Sequence, residues 1–158
     1  MTEEKNAVER EKNSGKTFIK ENIIYWIHRE KVIISIDITT IKIIGEYTIE
    51  ADPMEDDWYI VFVLNENEIK QIPANAVGVE DMLTQLSERL GTPLSIGLFY
   101  STRLNSRIIW PKKIEDLQLY EAKPAPAKNF LGKLWIWLKI APMELVLTKP
   151  ALSVLKEE

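Results

Sequence analysis

Short runs of β-branched and aromatic residues separated by polar breaks dominate the first half of the chain. Residues 23–27 (Ile-Ile-Tyr-Trp-Ile), 32–36 (Val-Ile-Ile-Ser-Ile) and 41–44 (Ile-Lys-Ile-Ile) have this character. Side chains branched at Cβ lose rotamer freedom in a helix and pack well on a pleated surface, so these runs predict strands. The break at 28–31, His-Arg-Glu-Lys, has hairpin length. After the acidic stretch 50–57, which contains Asp52-Pro53, the apolar run at 58–64 predicts another strand. Residues 68–72 then alternate polar and apolar up to Pro73, the signature of a strand with one wet face. The sheet is expected to be largely antiparallel.

At 79–90 the period changes. Val79, Met82, Leu83, Leu86 and Leu90 recur at the spacing of one helical face, with Glu80, Asp81, Gln85, Glu88 and Arg89 opposite them. Acidic residues stand at the start, where the helix dipole favours them, and Gly91 and Pro93 supply the stop. Residues 94–100 and 106–110 then predict a second hairpin through a turn at 101–105, and 117–120 a possible edge strand. Pro124 and Pro126 mark 121–129 as an extended linker. Beyond it, residues 130–140 form the most apolar stretch of the protein, yet too short to span a bilayer. Read as a strand, preferred over a helix here, it places Lys133, Trp135, Trp137 and Lys139 on one face, with 144–148 as partner.

The expected fold class is therefore α+β: a predominantly antiparallel, bent sheet or open barrel with one main amphipathic helix and a C-terminal hydrophobic tail. The expected organisation is a flexible arm at 1–16, poor in large apolar side chains, a core domain at 17–120, the linker at 121–129, and a tail at 130–158 packing on the core, a partner or a membrane surface.

Composition narrows the function classes. Cysteine is absent, which removes disulfides, thiolate nucleophiles and cysteine-held metals. His28 is the only histidine, so a histidine metal cluster within one chain is excluded, and its turn position reads as a solvated side chain. Residues 17–120 carry 10 Lys and Arg against 16 Asp and Glu, a net charge of −6 that disfavours a nucleic-acid partner. Neither a dinucleotide fingerprint nor a phosphate-binding loop occurs. The acidic residues of 50–57 lack the spacing and the glycine of a calcium loop, so they read as a solvated loop, with metal-dependent catalysis the distant alternative. The charged N-terminal stretch lacks the apolar run of a secretory signal, which points to the cytoplasm.

The stretches Asn22-Ile-Ile-Tyr-Trp-Ile-His28, Val32 to Ile41, Lys42-Ile-Ile-Gly-Glu-Tyr47, Trp58 to Leu64 and Glu68 to Ile72, closed by the helix at 79–90, follow an order of elements that resembles the small bacterial pleckstrin-homology-like domains. The resemblance covers roughly residues 22–90 and rests on pattern. It implies a bent, partly open sheet plugged by the helix, serving as a platform for proteins, peptides or lipids and not as an enzyme. Members that bind phosphoinositides use a basic loop; the matching 28–31 contains Glu30 among its basic residues, so lipid specificity is not carried over.

What remains is recognition without catalysis and without a cofactor: a protein or peptide partner, with self-association as one form of it. Trp135 and Trp137 flanked by Lys133 and Lys139 form the first candidate surface, and peripheral membrane contact through this segment is the alternative. Arg103 and Arg107, in a hydroxyl-rich turn region, and Trp58 beside the acidic loop are secondary binding candidates.

Overall fold

The computed structural model describes residues 2–49, 58–98, 105–124 and 143–157. Helix α1 (Thr2–Ser14) leads into a three-stranded antiparallel sheet of β1 (Lys16–Lys20), β2 (Ile23–His28) and β3 (Lys31–Asp37), in that spatial order. A short 3-10 turn (Ile38–Thr40) hands the chain to a second sheet. There β4 (Ile43–Thr48), β5 (Trp58–Asn65) and β6 (Glu68–Pro73) pair antiparallel, and β7 (Asn105–Trp110) adds on the far side of β4, giving the order β6-β5-β4-β7. Between β6 and β7 lies α2 (Val79–Leu90). A ribbon of β8 (Tyr120–Pro124) and β9 (Met143–Leu147), followed by α3 (Lys149–Lys156), completes the described chain. The class is α+β, and among the described residues the antiparallel sheets do not close into a barrel.

The second sheet is apolar on both faces, which explains why residues 58–64 do not alternate: a strand covered on both sides needs no polar face. On one side Ile44, Ile60, Phe62 and Ile72 meet α2 and the inner face of the first sheet, through Ile24, Ile36, Val79, Met82 and Leu86. On the other side Ile43, Val61, Val63 and Ile108 meet Leu119, Leu147 and Ala151. Helix α2 buries the face that its period predicts and ends on Gly91, whose positive φ of 66° and N–H to the Ser87 carbonyl close the last turn. Gly78, at φ 87°, starts it; a Cβ there would lie 2.3 Å from the Thr17 carbonyl oxygen, so only glycine allows α2 to approach β1 this closely.

The described residues differ from several expectations. Where a flexible arm is expected, residues 2–14 form α1, with Glu3 and Glu4 in its first turn and Lys12 in its last, the charge order that suits the dipole. Its end is tied down by Trp26 Nε1 donating to the Ser14 carbonyl at 2.9 Å and by Arg10 Nε donating to the Asn75 carbonyl at 3.1 Å. The expected hairpin of 94–100 with 106–110 is not formed by the described residues: 94–97 carry no strand, and β7 pairs instead with the buried β4. The linker expected at 121–129 begins with a strand, because Pro124 stands at the strand's last register pair, opposite Met143. Among the described residues the partner of 143–147 is β8; the pairing expected with the tryptophan segment lies outside the described residues. Among the described residues two further helices, α1 and α3, join the one that the sequence announces.

Candidate functional site

Lys133, Trp135, Trp137 and Lys139, as well as Arg103 and the acidic residues of 50–57, lie outside the described residues. The other two candidates, Arg107 and Trp58, are brought together, and what joins them is Glu46. Alternation along β4 puts Glu46 on the same face as Ile44, the face turned to the core, and its side chain is completely buried. Burial of an unpaired carboxylate is costly, and here five donors offset it. Arg107 contributes Nε at 3.0 Å and Nη2 at 2.5 Å to Oε1, a side-on two-point grip. Trp58 Nε1 donates to Oε2 at 2.9 Å, and the backbone N–H groups of Gly97 and Leu98 reach the same carboxylate at 3.0 and 3.2 Å.

Arg107 continues outward to Asp116 at 3.1 Å and to the Ser95 carbonyl at 2.9 Å. Partial burial pulls its pKa down, but the hydrogen bonds and charges of Glu46 and Asp116 outweigh this and hold it above the ordinary value. Arg107 and the indole nitrogen of Trp58 are therefore engaged in fastening residues 95–98 across the second sheet. The signal for this network was present in the sequence as an acidic residue at the core-facing parity of an isoleucine-rich strand.

The outer face of the first sheet has a different character. Thr17 and Ile19, Ile24 and Trp26, Ile34 and Ile36 face inward, where Thr17 Oγ1 donates to the Tyr25 carbonyl and contacts Met82 Sδ. Alternation then sends Lys16, Phe18 and Lys20 of β1, and Ile23, Tyr25 and Ile27 of β2, to the opposite face. Register places Val32 beside Ile27, and Ser35 and Asp37 beside Tyr25 and Ile23. Phe18 and Tyr25 stack with ring centroids 5.4 Å apart. None of Phe18, Ile23, Tyr25, Ile27 and Val32 belongs to either core cluster, and Val32 is 57% exposed.

An antiparallel sheet with one wet face ordinarily turns polar residues to solvent. This one turns a row of apolar and aromatic side chains outward. Its charges are segregated: Lys16 and Lys20 stand on β1, and Asp37 stands at the end of β3. Lys16 is paired with Glu11 at 3.2 Å, whereas Lys20 carries no ion pair among the described residues. Hydrogen bonds from the hydroxyl and N–H of Thr39 hold the Asp37 carboxyl below its usual pKa, so it is anionic at neutral pH.

The sole histidine ends β2, its ring stacked on Trp26 at 6.0 Å and its Nε2 3.3 Å from the Lys12 carbonyl. Among the described residues no group of three or more His, Asp and Glu side chains is placed to hold a metal ion, and no helix is long and apolar enough to cross a membrane. Comparison with protein-family models, with curated proteins and with solved structures finds no match to this chain.

Proposed function

We propose that this protein is a non-catalytic recognition module that binds a protein or peptide segment through the outer face of its first sheet. The observation that carries this reading is the outward apolar row of exposed Phe18 and Val32 and half-buried Ile23, Tyr25 and Ile27, on strands whose other face is already committed to the core. Contiguous exposed apolar surface of this kind marks interaction sites on soluble domains. Covering one such side chain completely contributes roughly 1.5–3 kcal/mol, so a few of them suffice for a specific complex once the cost of association is met. The partner fits by apolar side chains over Phe18 and Tyr25 and by an acidic residue towards Lys20. The resemblance to pleckstrin-homology-like domains supports the same platform role.

The test is a peptide-display selection on the full chain, repeated against Phe18→Ser and Lys20→Glu variants whose thermal unfolding matches the parent. Peptides rich in apolar and acidic residues that bind the parent and weaken by about tenfold or more on either variant are expected. Peptides that bind both variants as tightly as the parent would place recognition elsewhere. Light scattering on the same samples separates the occupants: a dimer lost in Phe18→Ser makes the partner a second copy.

A second reading is favoured by the register of the C-terminal ribbon. Pro124 pairs with Met143, so the two residues that flank 125–142 stand side by side at one end of β8-β9. Anchored in this way, the Lys133, Trp135, Trp137 and Lys139 segment suits contact with a partner or with an anionic membrane surface. Replacing 125–142 by a short turn leaves β9 and α3 in place. Loss of co-sedimentation with anionic vesicles in that variant supports membrane contact; equal behaviour of both proteins rejects it.

A further inference from the structure

A cleft of about 510 Å³ opens between the end of α1, the start of α2 and the segment after it. Among the described residues its apolar lining is Trp58, Ala74, Val79, Leu83 and Ile96, and its polar lining is Arg10, Glu80 and Asn75. The volume lies within the range of small-molecule sites, and the mixture of an apolar floor with a few polar groups is what such sites present. Neither charge is satisfied by an ion pair among the described residues. Arg10 uses Nε on the Asn75 carbonyl, which fixes the guanidinium at the rim while its two terminal nitrogens stay available. Glu80 sits at the first turn of α2, and only its backbone carbonyl is used, by the Thr84 hydroxyl. Trp58 spends its indole nitrogen on Glu46 and contributes the ring.

A cation and an anion together at the rim of an apolar cleft select a particular ligand chemistry. A simple fatty acid would satisfy Arg10 and be repelled by Glu80; a hydrophobic amine would do the reverse. A molecule with both charges and an apolar side chain satisfies both. We infer that this cleft binds a zwitterionic ligand of the apolar α-amino-acid class, its carboxylate on the Arg10 guanidinium, its ammonium on the Glu80 carboxylate and its side chain against Leu83, Ile96 and the Trp58 ring. This site is separate from the sheet face and stands or falls independently of it.

Titration calorimetry of the full chain with L-phenylalanine tests it, beside N-acetyl-L-phenylalanine, which lacks the cation, and L-phenylalaninamide, which lacks the carboxylate. L-Phenylalanine binding with each blocked derivative roughly tenfold weaker is expected. Arg10→Gln, an exposed change, is expected to weaken L-phenylalanine to a similar degree while leaving the amide unaffected, since the amide has already lost that contact. Ile96→Trp should fill the cleft and abolish binding. No heat with L-phenylalanine at millimolar concentration overturns the inference, as does equal binding of all three compounds or an Arg10→Gln variant that binds like the parent.

Discussion

Glu46 ties β4 to β5, to β7 and to residues 97–98 through one carboxylate. Its carboxylate is fully buried and joins a strand interior, an arginine from the neighbouring strand, an indole and two backbone amides. Removing one partner of a buried pair strands the other, so Glu46→Ala is expected to cost about 3–5 kcal/mol, measured by chemical denaturation. Because Arg107 keeps partial access to solvent and to Asp116, the lower end of that range is expected. At the other face of the sheet, Tyr120 packs edge-on against Tyr47, and burial pushes its hydroxyl up to about 12, with the neighbouring Tyr47 adding to the rise. Burial raises Tyr47 in the same direction, partly opposed by its hydrogen bond to Gln71. A tyrosine whose folded pKa is raised contributes stability that is complete below the unfolded value near 10 and is lost as pH climbs towards 12. Thermal midpoints should therefore fall across that window, and fall less in Tyr120→Phe.

At the scale of elements, α2 and the two sheets divide the work. The helix seats on β1 through Gly78, where a side chain would collide with the Thr17 carbonyl. Gly78→Ala combines a positive φ with that collision and should destabilise by more than about 1 kcal/mol, whereas Gly91→Ala, at a similar φ but with open space around it, should cost less. Comparison of the two by urea unfolding isolates the contact. The period of residues 79–90 made this helix legible, since its core is a single stripe. Strands β2, β3, β5 and β6 were legible for the same kind of reason, an apolar run bounded by turn residues. Helix α1 was not, because a surface helix with one apolar side chain of any size, Val8, offers no stripe to read. Nor was the β8-β9 pairing: its two strands are 18 residues apart, and proline at the edge of the first resembles a linker until its partner is known.

For the whole molecule, the C-terminal segment has the consequence of greatest reach. Leu147 and Ala151 cover Val61, Val63, Ile108 and Leu119, so β9 and α3 complete a core rather than append to one. A chain ending after residue 122 is expected to expose that cluster and to aggregate or lose its cooperative thermal transition, while replacement of 125–142 by a turn should keep it; circular dichroism and light scattering distinguish them. The candidate surfaces divide in the same way. Of the candidate binding residues, Arg107 and Trp58 are parts of one network around the buried Glu46, and the sheet face and the cleft emerged only with the fold. The sequence by itself determined the class, the antiparallel character and the main helix, because period, β-branching and turn chemistry are local and act before any distant contact forms. Only the tertiary structure decided which strands pair, that β4 is covered on both faces, and which of two apolar parities in residues 23–27 is left to solvent. Those outcomes depend on what arrives from elsewhere in the chain, and an apolar residue reads the same whether its neighbour is the core or a partner.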